Sequence, residues 1–199
     1  MEKGERQVLD SRRKRKEETM KTRIATLGLL ALFVAGSAAM AQAPTGPPKP
    51  GPEHKRLDYF AGKWTAEGEQ KANPFGPAGK FTSNDTCEWI MDGFFLKCSS
   101  EGKDPLGAVK SLGLLGYDAE NKVYTSYGVD SRGLGISGEG SLKGKTWTYT
   151  STFRMKEKTI KSRYLIQEVS PTEYTFKWEL ADEKGNWSVL AEGKETKAK

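Results

Sequence analysis

The chain has one histidine in 199 residues, two cysteines, and no unbroken apolar stretch of the roughly 20 residues that a spanning helix needs. Each scarcity excludes something. With His54 as the sole imidazole, a nucleophile triad, a multi-histidine zinc site and an axial haem ligand inside the fold all lack their usual partner. His54 stands beside a proline-rich segment and reads as a solvated surface residue. The cysteines are not arranged C-x-x-C, so no dithiol redox chemistry is expected. Gly133, Gly135, Gly138 and Gly140 cluster without a helix pattern behind them, so they do not form a phosphate-cradling turn. Glycines at this spacing in a strand point instead to a bend or a close backbone approach. Asp104, Asp118, Asp130 and Asp182 fall mostly at turns, where aspartate caps backbone groups. No catalytic residue, metal site or cofactor is therefore expected.

Charge of one sign is also scarcer than the formal net of +6 suggests. Residues 1–41 hold nine Lys/Arg and five Asp/Glu, which leaves 23 bases against 21 acids in the remainder. A balance of +2, alternating along the chain, gives little support to nucleic-acid binding, and none is expected.

The first 41 residues have their own logic. Met20-Lys21-Thr22-Arg23 is a short basic segment, Ile24 to Ala35 an apolar run, and Ala39-Met40-Ala41 a cleavage pattern. Together they read as a secretory signal peptide over 20–41, with Gln42 as the first mature residue. Residues 1–19 mix acids and bases ahead of a second methionine, so translation is expected to start at Met20; a long n-region is the alternative. The predicted location is periplasmic or secreted, with no membrane span once the leader is removed. Residues 42–56, rich in proline and glycine, read as a linker, and 57–199 as the folded domain. Within Glu53 to Phe60, Leu57 and Phe60 stand at i, i+3 before Gly62, which predicts one helical turn.

From Trp64 the apolar period changes to two. Ten runs can be drawn: 64–71, 80–91, 94–101, 110–117, 123–130, 134–142, 146–155, 160–169, 173–180 and 187–196. Their connections are nearly all short, which favours an up-and-down meander. Closure removes the two edges such a meander would expose. The expected fold is therefore all-β, an antiparallel up-and-down barrel of eight to ten strands, with an open curved sheet or sandwich as the alternative.

Alternation marks the faces. Trp147, Tyr149, Phe153 and Met155 oppose Thr146, Thr148, Thr150 and Thr152; Tyr174, Phe176, Trp178 and Leu180 oppose Thr175, Lys177 and Glu179. Asp92-Gly93 predicts a tight hairpin turn. Pairing outward from it sets Met91 against Phe94, Trp89 against Leu96, Glu88 against Lys97 and Cys87 against Cys98. Opposed Cα atoms lie within disulfide range, so a Cys87–Cys98 bond is expected in an exported protein.

Phe60-Ala61-Gly62-Lys63-Trp64, opening the first strand, resembles the Gly-x-Trp signature of lipocalin and calycin barrels. The Glu88–Leu96 hairpin, Gly116-Tyr117-Asp118 and Gly128-Val129-Asp130-Ser131 are similar to a bacterial family of secreted calycin-like domains of unknown function, over about residues 57–196. In lipocalins the signature tryptophan packs under an arginine of the last strand. Here that strand offers Lys194 or Lys197.

The function expected is a binding module holding a small apolar or amphipathic molecule in the barrel. Trp64, Trp89, Tyr127, Trp147, Tyr164 and Trp178 are the candidate lining, with Arg163 or Arg132 as anchors for an acidic head group. A structural envelope barrel with no ligand, or a histidine-independent isomerase or hydrolase, are the alternatives.

Overall fold

The computed structural model describes residues 46–155 and 157–198; the expected leader, residues 1–41, lies outside them. The domain opens with helix α1 (Pro52–Arg56) and a 3-10 turn (Leu57–Phe60). Ten strands follow: β1 (Gly62–Gln70), β2 (Gly79–Ile90), β3 (Phe95–Asp104), β4 (Gly107–Asp118), β5 (Val123–Asp130), β6 (Gly135–Lys143), β7 (Thr146–Met155), β8 (Lys158–Ser170), β9 (Glu173–Ala181) and β10 (Trp187–Lys197). Each pairs antiparallel with its sequence neighbours, and β1 pairs with β10 from Trp64↔Lys197 to Gln70↔Ala191, so the barrel is closed.

Two turn chemistries set this topology. Asp92 (φ 55°) and Gly93 (φ 87°) both take the left-handed conformation that a primed hairpin turn needs, and the Phe94 N–H donates to the Met91 carbonyl across 3.1 Å. The β2–β3 register is the expected one, with Cys87 opposite Cys98 and Glu88 opposite Lys97. The ladder stops at Ile90↔Phe95, and Met91 and Phe94 face each other across the turn itself; Met91 is exposed. Aspartates hold three further turns. Asp118 accepts the N–H groups of Glu120 and Asn121, Asp130 those of Arg132 and Leu134, and Asp182 those of Lys184 and Asn186.

One end of the barrel is plugged by the N-terminal segment. Leu57 and Phe60 are buried against Trp64, Trp147 and Tyr174, each such side chain contributing on the order of 1.5–3 kcal/mol of hydrophobic stabilisation. Phe60 meets Trp147 edge-on at 5.2 Å between centroids and Tyr174 at 5.5 Å. Polar ties fix the plug. The Trp64 indole donates to the Phe60 carbonyl (2.8 Å), and Trp89 donates to Asp58 (3.0 Å). Glu168, buried on β8, accepts from the Trp147 indole (2.8 Å) and from Arg56 (3.1 Å).

The plug bears out one expectation and corrects another. The helical turn expected within Glu53 to Phe60 forms, opening at Pro52 inside the segment read as linker, because proline suits the first helical position and His54 Nδ1 accepts the Gly51 N–H at 3.1 Å. His54 is consequently 5% exposed, edge-on to Phe94 (5.2 Å) and Tyr117 (5.7 Å), and is not the solvated residue its flanking prolines suggested.

Candidate functional site

Above the plug, the inward row of each strand faces a lumen of uneven character. On one wall Gly68 of β1 and Gly193 of β10 are direct partners. Phe81 and Phe176 lie against them, their Cζ atoms 2.5 and 2.9 Å from where a Cβ would stand. Those rings are 6.0 Å apart, and Tyr164 stacks on Phe176 at 5.6 Å and 17°. Only glycine lets aromatic rings lie this close to the wall. On the opposite wall Gly113 and Gly128 are paired, and a Cβ there would first meet backbone oxygens at 3.8 and 4.0 Å. At the end away from the plug, Phe75 of the β1–β2 connection stacks on Trp178 at 5.3 Å and 24°.

A polar group sits within this aromatic frame. Glu195 of β10 lies opposite Ala66 of β1 and Tyr174 of β9. Alanine is small, and Asp85 of β2, one row below, comes within hydrogen-bonding reach of the Glu195 carboxyl, as does the Tyr174 hydroxyl. Burial, and secondly the Asp85 charge, push the Glu195 carboxyl up to about 8, so it is mostly protonated at neutral pH. Burial likewise raises the Tyr164 and Tyr174 hydroxyls well above the ordinary tyrosine value. Asp85 Oδ2 accepts from Ser83 (3.2 Å), whereas the buried Oδ1 has no hydrogen-bond partner. Tyr149, facing Tyr164 across the β7–β8 ladder, is 5% exposed, and its hydroxyl also lacks a partner. Unmatched buried polar atoms are costly, on the order of 1–3 kcal/mol each, and call for an explanation. Among the described residues no cluster of three His, Cys, Asp or Glu is placed to hold a metal ion.

The expected lining residues separate into three sets. Tyr164 and Trp178 face the lumen proper. Trp64, Trp89 and Trp147 belong to the plugged end, their indole N–H groups already donated to Phe60, Asp58 and Glu168. Tyr127 and Arg163 stand outside. Tyr127 is 52% exposed, since Tyr124 is the inward residue of β5 and residues three apart on a strand take opposite faces. Arg163 adjoins the inward Tyr164 and so points outward, where it pairs with Glu179 and lies over the Trp187 ring at 4.4 Å. Arg132 is also committed, to Asp104, whose carboxyl it holds below the usual range. Neither arginine is available to a head group in the lumen.

Asp85, Glu195 and the orphaned Tyr149 hydroxyl were not singled out from sequence as a site. Asp85 shares inward parity with Cys87 and Trp89, a signal that was there to use. Glu195 had no such signal, because charges occupy both faces of Glu192–Lys197. The two expected cysteines are joined, with Cα atoms 4.0 Å apart. Lys197, one of the two lysines proposed to replace the lipocalin arginine, does cover the tryptophan, its Nζ 5.1 Å from the Trp64 ring centroid. Lys194 pairs outside with Glu67 at 3.0 Å. A surface hollow of about 630 Å3 follows β1, β2, β9 and β10. Two of the cations lining it, Lys177 and Lys194, are neutralised by Glu192 and Glu67.

Solved structures share this architecture. Rv2717c from M. tuberculosis superposes with a TM-score of 0.54 at 11% identity, covering 75% of this chain and 99% of that one. The S-type phycobiliprotein lyase CPES from Guillardia theta does so with a TM-score of 0.52 at 12% identity, covering 74% and 93%. At such identities the likeness concerns the fold. No curated protein matches the sequence. The family described as "protein of unknown function (DUF1579)" matches residues 49–197, the whole plug and barrel, and the chain belongs to that family.

Proposed function

We propose that this protein is an exported binding module whose barrel lumen holds a small amphipathic molecule. The observation that carries this reading is the pair of unmatched buried polar atoms, Asp85 Oδ1 and the Tyr149 hydroxyl, on inward faces that also carry aromatic rings. A ligand with an apolar body and a polar end would cover the rings and satisfy those atoms, which is the composition of small-molecule pockets generally. Export is supported by the leader pattern and by the Cys87–Cys98 bond, which suits an oxidising compartment. No helix among the described residues is long and apolar enough to cross a membrane.

The test is native mass spectrometry of protein purified from its own envelope. A retained small molecule, lost on Tyr149→Phe or Asp85→Asn, supports the reading. Protein that is ligand-free from every preparation, and whose stability is unchanged by those substitutions, would sink it in favour of a structural barrel. The fully buried Trp64, Trp147, Leu57 and Leu96 are what favour that second reading, since they fill the plugged end completely. Glu195 keeps a third reading in view, a histidine-independent isomerase or hydrolase, because a carboxyl with pKa about 8 can act as general acid at neutral pH.

A further inference from the structure

We propose that the lumen selects molecules whose polar end donates hydrogen bonds (an alcohol or an amine) and disfavours those whose polar end is a carboxylate. This rests on the reading of the lumen as a binding site and goes beyond it by naming the ligand chemistry.

The argument starts from which groups face the lumen at this level. Glu195 of β10 and Tyr174 of β9 stand beside Ala66 of β1, Asp85 of β2 stands beside Trp64 of β1, and β8 supplies Glu168, paired with Tyr174, and Tyr164, paired with Trp178. None of these is basic. Lys197, in the same row as Asp85 with Trp64 between them, is drawn over the Trp64 ring at 5.1 Å. Arg163 and Arg132, the side chains that would suit an acidic head group, are paired with Glu179 and Asp104 away from this cluster. A carboxylate entering here would approach Asp85 with no matched cation and would lose its hydration, a cost that grows as the surroundings dry.

The unmatched atoms point the same way. Asp85 Oδ1 is a carboxylate oxygen, which accepts and cannot donate when ionised, and its neighbour Oδ2 is already engaged by Ser83. Apart from the protonated Glu195 carboxyl beside it, it has no donor. The Tyr149 hydroxyl, on a side chain 5% exposed, can both give and accept, so it matches a ligand hydroxyl, which does the same. Glu195 adds an adjustable partner: protonated it donates to a ligand oxygen, and ionised it pairs with an ammonium. Opposite, Gly113 and Gly128 leave their wall free of side chains, and Phe81, Phe176 and Tyr164 offer flat apolar surface to the ligand body.

Titrations of the full chain with n-decanol, n-decylamine and decanoate at pH 7, followed by tryptophan fluorescence and calorimetry, test the proposal. These probes share one apolar body and differ only at the polar end. Decanol and decylamine are expected to bind at least ten-fold more tightly than decanoate. Asp85→Asn should bring the decylamine and decanoate affinities within about three-fold of each other. Glu195→Gln, which keeps the shape, should lower decylamine affinity and spare decanol, and it serves if Asp85→Asn does not fold. Tyr127→Ala, on the outer face, should change none of the three. If decanoate binds as tightly as either partner, or if the preference survives both lumen substitutions, the selection is overturned while the lumen remains a binding site. If no probe binds below millimolar concentration, the binding reading falls and takes this inference with it.

Discussion

Lys197, at the end of the last strand, holds its ammonium 5.1 Å from the centroid of Trp64, at the start of the first, and the two are direct partners where β1 and β10 close the barrel. The contact therefore seals the seam as well as the plugged end. A cation over an indole contributes about 0.5–2 kcal/mol depending on desolvation. Lys197→Ala should lose about 1 kcal/mol in urea denaturation, and Lys197→Arg should keep or exceed the wild-type midpoint, because a guanidinium stacks on the ring as well. A Lys197→Met variant as stable as wild type would show that chain packing, and not charge, is responsible.

Glu195 makes stability depend on pH in an unusual direction. Its carboxyl is raised from 4.5 to about 8 in the folded protein, so the folded state keeps a proton that the unfolded chain releases. Stability is then greatest below about pH 4.5 as far as this group is concerned, and falls as pH rises through the window from 4.5 to 8. Ionising the buried carboxyl completely costs about 3–5 kcal/mol, since each tenfold change in proton affinity corresponds to about 1.4 kcal/mol. Glu195→Gln should flatten that slope, measured as the midpoint of chemical denaturation from pH 5 to 9.

The Cys87–Cys98 bond spans 11 positions, and closing a loop of that size in the unfolded chain is worth about 2–3 kcal/mol. Non-reducing peptide mapping should recover the two cysteines in one linked species. The Cys87→Ser, Cys98→Ser double variant should fold with a correspondingly lower melting temperature and the same β-rich circular dichroism.

Trp147 and Trp178 should answer differently to alanine. Trp147 is wholly buried and its indole donates to Glu168, so Trp147→Ala removes packing and one of the two donors to the Glu168 carboxylate, leaving it Arg56 alone. A loss of about 3–5 kcal/mol is expected, enough to compromise folding. Trp178 is partly exposed under Phe75, and Trp178→Ala should cost less while weakening ligand retention. A Trp178→Ala protein that unfolds as completely as Trp147→Ala would argue for a filled, structural interior.

The strands were legible because period-two alternation and turn residues coincide. The run drawn at 146–155 is β7 itself, 123–130 is β5, and the hairpin about Asp92-Gly93 has the expected register down to its cysteines. One short turn was blurred: β3 runs on to Asp104 and β4 starts at Gly107, because the Asp104 carboxylate closes a tight turn by accepting the Leu106 N–H. Residues whose side is set by their neighbour were harder. Arg163 and Tyr164 are adjacent and cannot both face inward, and Tyr124 excludes Tyr127 by parity. The burial of His54 depends on a helix laid across the barrel end, a tertiary contact with no trace in local pattern. Asp85 and Glu195 come together from strands about 110 residues apart through closure alone, and nothing local announces a carboxyl pair built that way.

Closure has a temporal consequence. Nine of the ten ladders join strands consecutive in sequence, and these can form as the chain arrives. The tenth, β1 with β10, must wait for residues 187–197, so an incomplete chain carries two open strand edges and a lumen without Glu195. Bringing together ends so distant costs more loop entropy than any hairpin in the molecule. The last ladder to zip is therefore also the one that assembles the carboxyl pair, and the lumen acquires its chemistry only at the moment the barrel loses its edges.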